Sequence, residues 1–207
     1  MRFSGGHRAA IAFDPQGLVF AAAGGGGQTK LFDVRAYDKG PFTTFAPDVG
    51  GPVNFSCVKF SYDGKLMLLG TTQGTLLLLD AFNGELVRSF SGHDNAQQLP
   101  LEACFRCGAA EGASNRLAPR LRHPHAPRAP PCRSPDADFV LSGSEDGTIW
   151  RWRVQSGEAL PALQGHAGPV GALKVNPTRM MLASACSALC LWLPLPQQQQ
   201  PTGMMGQ

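Results

Sequence analysis

The chain has 207 residues, 43% of them apolar and 16% charged, with a net charge of +3. That length can bury a sizeable core in one domain or two, and no apolar run approaches the ~18–20 residues of a membrane-spanning helix. The positive charge is local: residues 106–133 hold six Arg and one Glu, whereas the rest of the chain carries 12 basic and 14 acidic residues. The segment has five Pro and no aromatic residue to stack on bases, so it reads as a disordered basic insertion rather than a nucleic-acid surface.

In chain order, Ala12-Phe13 is a short apolar strand followed by the turn Pro15-Gln16-Gly17, and Leu18–Ala23 is the next strand. A third strand runs to Phe32-Asp33. The succession repeats with Val58–Phe60, the turn Tyr62-Asp63-Gly64, Leu66–Gly70 and a strand ending at Leu79-Asp80. It returns in Phe139–Ser142 and the strand ending at Trp152-Arg153, and again in Leu173–Val175, Met181–Ala185 and the strand ending at Trp192-Leu193. Gly accepts a positive φ and Asp bonds its own backbone, which suits both to these turns. The four leucines 76–79 fill both faces of a central strand. No segment between the turns has helical period or capping, which predicts a chain that is nearly all β.

The strand-ending residues Phe32, Leu79, Trp152 and Trp192 are 47, 73 and 40 residues apart. Removing the 28 residues 106–133 brings the long gap to 45, near the ~40–45 residues of one blade of a β-propeller. The best-preserved copy is SGSEDGTIWRW at 142–152, and Gly-His pairs stand before it at Gly92-His93 and after it at Gly165-His166. The Gly-His pair, the Asp-Gly turn and the terminal Trp form the signature of a WD-type blade. The predicted fold is therefore an all-β WD-repeat β-propeller with about four blades present, an open arc of a larger ring. The repeat units fall at about 1–47, 48–91, 92–164 and 165–193, followed by a disordered Gln/Pro tail at 194–207. An open arc exposes apolar blade faces at both ends, which predicts instability or association.

His93, Ser142 or Ser144, Asp146 and Trp152 are predicted to form a hydrogen-bonded chain that braces the third blade, because a buried indole N–H, imidazole and carboxylate each require a partner. A hydrolytic His/Ser/Asp triad is the competing reading. The offsets are those of a blade, and no Gly-x-Ser-x-Gly elbow is present, so no catalytic residue is expected. Gly24–Gly27 lacks the Lys-Ser/Thr of a phosphate loop. Cys104 and Cys107 have zinc-ligand spacing, but His123, His125 and Cys132 lack a regular partner spacing, and no metal or other cofactor is expected. The six cysteines, with no secretory signal, predict a reducing intracellular compartment rather than a disulfide framework.

Several strings go beyond the generic repeat: FDPQGLVFAAAG at 13–24, DKGPF at 38–42, KFSYDGKLMLLGT at 59–71, LLDAFNGELVRSFSGH at 78–93 and ASACS at 183–187. With them the chain resembles the WD-repeat protein 82 family, the small WD-repeat subunit of the COMPASS histone H3 methyltransferase, over the later blades of a seven-bladed propeller. The resemblance implies a nuclear, non-catalytic scaffold with no small-molecule substrate and no membrane. Its partners would be methyltransferase-complex subunits, RNA polymerase II-associated and termination factors and, indirectly, chromatin. A second reading is a substrate receptor of a cullin-type ubiquitin ligase. Asp33-Val34-Arg35 resembles the Asp-x-Arg ending with which such receptors dock their adaptor; the plain alternative is a solvated Arg35 after a strand.

Overall fold

The structure is a computed structural model describing residues 9–51, 53–106, 117–119, 137–176 and 181–194. The first sheet is a meander of β1 (Ala10–Phe13), β2 (Val19–Ala23), β3 (Thr29–Asp33) and β4 (Thr43–Phe45), with a 3-10 turn at Tyr37–Lys39. The second repeats the path with β5 (Phe55–Phe60), β6 (Leu66–Thr71), β7 (Leu76–Asp80) and β8 (Leu86–Phe90). Next in the chain come β9 (Ala103–Arg106), β10 (Leu117–Pro119), β11 (Phe139–Gly143), β12 (Thr148–Arg153) and β13 (Ala159–Gln164). The third sheet takes β9 and β11 to β13 in the order β13-β12-β11-β9. The fourth consists of β14 (Ala172–Val175), β15 (Leu182–Ala185) and β16 (Leu189–Pro194), with β10 paired to the outer edge of β16. All described pairings are antiparallel, and no α-helix occurs among the described residues.

Local chemistry makes the tight turns. Asp14 Oδ1 accepts from the N–H of Leu18 (2.7 Å) and Val19 (2.8 Å), closing the β1–β2 turn. Asp146 Oδ1 accepts from the Thr148 N–H (2.9 Å) and hydroxyl (2.7 Å) across the β11–β12 turn, where Gly147 takes φ 83°.

The sheets stack face to face. Ala21, Ala23 and Leu31 meet Val58, Met67, Leu69, Leu77 and Leu79 between the first and second sheets. Leu68, Leu76, Leu78 and Phe90 meet Ala103, Phe105, Val140 and Trp152 between the second and third. Cys104, Leu141, Ile149 and Leu163 meet Leu173, Leu182 and Trp192 between the third and fourth. Leucines 76–79 thus divide by parity, Leu77 and Leu79 toward the first sheet and Leu76 and Leu78 toward the third. The two ends are uncovered: Ile11 (62% exposed) and Phe13 (63%) face out from the first sheet, and Leu189 (70%) from the fourth. The architecture is an open arc of four propeller blades.

Two expectations change. The three-strand reading of each unit omitted β4, β8 and β13, which follow the landmark residue and leave much of their length exposed. The stretch 106–133, predicted to be disordered, contributes Arg106 to β9 and residues 117–119 to β10. An unpaired edge of β16 offers backbone partners to any nearby extended segment, whatever its composition. The rest of that stretch, and the tail beyond Pro194, lie outside the described residues.

Polar ties cross the sheet interfaces. Arg88 donates to Gln155 O (3.0 Å) and Ser156 O (3.3 Å), joining the second sheet to the third. Glu102 accepts from Leu173 N–H (3.0 Å) and Lys174 Nζ (2.7 Å), joining the third to the fourth. Burial alone would raise the Glu102 carboxyl, but the Leu173 N–H and the Lys174 ammonium outweigh it and hold it below its ordinary value. The stability this link contributes is complete above the ordinary glutamate range and is lost as pH falls through the lowered value. Glu102→Gln is expected to cost about 1 kcal/mol near neutral pH, since Lys174 is largely exposed. The difference from the wild type should shrink as pH falls through the lowered Glu102 value and the wild-type carboxylate is also protonated. Urea midpoints near neutral pH and below that value measure it; a constant difference would remove the carboxylate from the account.

Candidate protein-interaction surface

One rim of the arc gathers the turns between the second and third strands of each sheet and the connections from one sheet to the next. Neighbouring segments are tied by main-chain bonds: Phe55 N–H to Gly24 O (3.3 Å), Thr72 N–H to Asn54 O (3.0 Å), Glu145 N–H to Asp94 O (3.0 Å) and Val170 N–H to Ser144 O (3.0 Å). Asn95 anchors the connection 91–102. Its amide donates to Thr72 O (3.0 Å) and Leu99 O (2.9 Å), and its carbonyl accepts from Leu99 N–H (2.8 Å). Gln97 N–H adds a bond to Glu145 Oε2 (3.0 Å). A loop held at this many points loses little entropy when a partner binds it.

Asp48, Asp94, Glu145 and Asp146 lie on this rim, and its described segments contain no lysine or arginine. Burial would raise the Asp146 carboxyl, but the Thr148 and Ser144 hydroxyls and local N–H groups hold it below its usual value, so it stays ionised. The rim is therefore rigid and acidic, suited chemically to a basic, extended protein segment.

The predicted bracing residues meet here, but with different bonds. The His93 ring stands edge-on to Trp152 at 5.7 Å, and its Nδ1 is buried without a hydrogen-bond partner among the described residues. Burial lowers the His93 value while Asp94 and Asp146 act in the opposite direction. Ser142 Oγ donates to Gly143 O (3.0 Å), and Ser144 Oγ accepts from Asp94 N–H (3.2 Å). The expected His93–Ser142–Trp152 chain is thus not closed in the third sheet. It is closed in the fourth, where Trp192 Nε1 donates to Ser184 Oγ (2.7 Å) and that oxygen lies 2.6 Å from His166 Nε2. His166 Nδ1 continues to Cys186 Sγ at 3.2 Å. The Gly165-His166 repeat and its offset to Trp192 were the available signal, weakened because this unit lacks the Asp-Gly turn.

Comparisons with known proteins agree with the repeat. The WD domain, G-beta repeat model matches residues 132–153. "WD repeat-containing protein 82" of Drosophila melanogaster is 36% identical over 96% of this chain and 53% of its own length. "Protein ANTHESIS POMOTING FACTOR 1" of Arabidopsis thaliana is 39% identical over 90% of the chain and 48% of its own length. These similarities support the WD-repeat protein 82 family for this chain. "COMPASS component SWD2" of Saccharomyces cerevisiae is similar at 27% identity over 69% of the chain and 36% of its own length. The chain spans about half the length of the first two relatives.

The second predicted site lies at the opposite rim. Arg35 donates through Nε (3.1 Å) and one terminal nitrogen (2.9 Å) to the two oxygens of Asp33, and its N–H caps the same carboxylate (2.8 Å). The Arg35 side chain is 76% exposed, so this fork is a surface feature. The Arg35 bonds hold the Asp33 carboxyl below its ordinary value. Cys104 is buried, which pushes its thiol up to about 12. Cys107, His123, His125 and Cys132 lie outside the described residues. Among the described residues no group of three or more His, Cys, Asp or Glu could hold a metal ion.

Proposed function

We propose that the chain is a non-catalytic scaffold subunit of a nuclear, COMPASS-like histone H3 lysine methyltransferase complex. Similarity to the WD-repeat protein 82 family, with one relative that is itself a COMPASS component, carries this reading. The rigid acidic rim supports it physically, because fixed loops bearing one sign of charge select and orient a partner segment without performing chemistry on it. The same surface serves termination factors and RNA polymerase II-associated proteins, the further partners of this reading. The test is affinity capture of the tagged chain from nuclear extract. Methyltransferase subunits should be recovered, and recovery should fall at least about tenfold with Asp94→Asn, Glu145→Gln and Asp146→Asn combined. Capture of neither methyltransferase nor termination factors would overturn it.

The ligase-receptor reading ranks second. Arg35 is exposed, but its guanidinium is already paired with Asp33, and an adaptor must displace or share that pair. If Arg35 docks an adaptor, Arg35→Ala should abolish its co-purification while methyltransferase capture is unchanged. Adaptor retained by that variant rejects the docking role.

A further inference from the structure

The closed hydrogen-bond chain of the fourth sheet ends on a sulfur. An indole N–H can only donate, so the 2.7 Å bond from Trp192 makes Ser184 Oγ an acceptor there. The hydroxyl's single proton is then directed to His166 Nε2 at 2.6 Å. In the neutral ring this leaves the imidazole proton on Nδ1, which is 3.2 Å from Cys186 Sγ. Ala188 N–H donates to the same sulfur at 3.3 Å, and the Ser187 hydroxyl is 3.7 Å away. Cys186 is partly exposed, and Cys190 Sγ lies 3.9 Å from the same His166 nitrogen. The corresponding position in the third sheet is Ser144, so the chain of polar residues that braces a blade here terminates on a group with nucleophilic chemistry.

We propose that Cys186 is a modification site, a nucleophilic thiolate that hydroperoxides oxidise to sulfenic acid, with His166 as its positioning residue. The sulfur attacks the terminal oxygen of the hydroperoxide. An S–O bond forms as the O–O bond breaks, and the leaving oxygen takes the electron pair and a solvent proton to depart as water or an alcohol. The sulfur is oxidised by two electrons and the peroxide is reduced by two. The Ala188 N–H, together with the Ser187 hydroxyl and the His166 ring, draws the Cys186 thiol down to about 6. Cys57 and Cys104 are buried, and burial pushes both thiols up, so they serve as internal controls.

The full chain treated with hydrogen peroxide and dimedone, then analysed by peptide mass spectrometry, should carry the sulfenic-acid adduct on Cys186 and not on Cys57 or Cys104. His166 faces the sulfur directly, and Cys190 lies against the same His166 nitrogen. Iodoacetamide labelling of Cys186 should rise only about twofold from pH 6 to pH 8, against about seventyfold for an ordinary thiol. His166→Asn is expected to lower the pH 6 rate about tenfold. The wild-type profile decides the matter should that variant fail to fold. A steep wild-type profile, or no adduct at Cys186, overturns the proposal.

Discussion

Replacing Gly143 with Val is expected to detach the fourth sheet from the third. A Cβ at this last residue of β11 would strike the carbonyl oxygen of Val170, with Val170 C and Cβ at 3.0 Å behind it. The obstacle is backbone held on both sides, since Val170 N–H donates to Ser144 O (3.0 Å) and its side chain is fully buried against Leu141 and Leu173. Neither β11 nor the connection at Val170 can retreat without breaking that bond or opening the core between the sheets. Overpacking of this kind costs about 1–3 kcal/mol, and loss of the Val170–Ser144 bond adds about 1 kcal/mol. Gly143→Ala should already cost about 2 kcal/mol, and the Val variant more.

The readout follows from the arc. Each inner sheet has two neighbours, but among the described residues the core face of the fourth packs only on the third, so damage at this interface should appear as local opening rather than global unfolding. Limited proteolysis should cut within residues 165–194 in the Gly143→Val variant while residues 10–90 stay protected. An unchanged protease pattern and urea midpoint would show that the interface accommodates the added side chain without cost, and the packing argument would fail.

Strand order was legible where strands are buried on both faces. Leucines 76–79 have no polar alternation, and only a strand between two sheets uses such a run without waste. The fourth strands were not legible, because β8 exposes Leu86 and Val87 and reads as a loop. β10 was illegible for another reason: it pairs through its backbone with the edge of β16, and such pairing leaves no periodic signal in a three-residue strand. At the site, sequence identified the residues but not their bonds. His93, Ser142 and Trp152 occupy the same slots as His166, Ser184 and Trp192. In the third sheet, however, Ser142 turns to Gly143 O, and the His93 ring contacts the Trp152 ring instead. A rotamer choice of this kind depends on neighbours such as Trp150, stacked on Trp152 at 6.0 Å, which no spacing rule contains.

The chain alone is expected to self-associate through its uncovered first sheet, and Ile11→Lys with Phe13→Lys should prevent it. The outer face of that sheet is a cross-strand aromatic ladder: Phe13 packs on Phe20 at 5.7 Å, and Phe20 stacks on Phe32 at 4.8 Å. Ile11 and Phe13 point outward beside this ladder, more than 60% exposed, while Ala10 and Ala12 of the same strand pack against the core. The inner sheets bury faces of the same character against a neighbour, so the first sheet presents a blade interface with one side missing. Burying each of the two side chains stabilises by at least about 1.5 kcal/mol, so losing both should lower an association constant about 100-fold. Because both side chains point away from the core, the variant's unfolding free energy in urea should change by no more than about 0.5 kcal/mol. That separates lost association from lost folding. Sedimentation of the wild type and the double variant across a concentration series measures the effect. A wild type that is monomeric throughout, or a variant that associates equally well, would mean that these side chains are satisfied in solution and that the open face does not drive assembly.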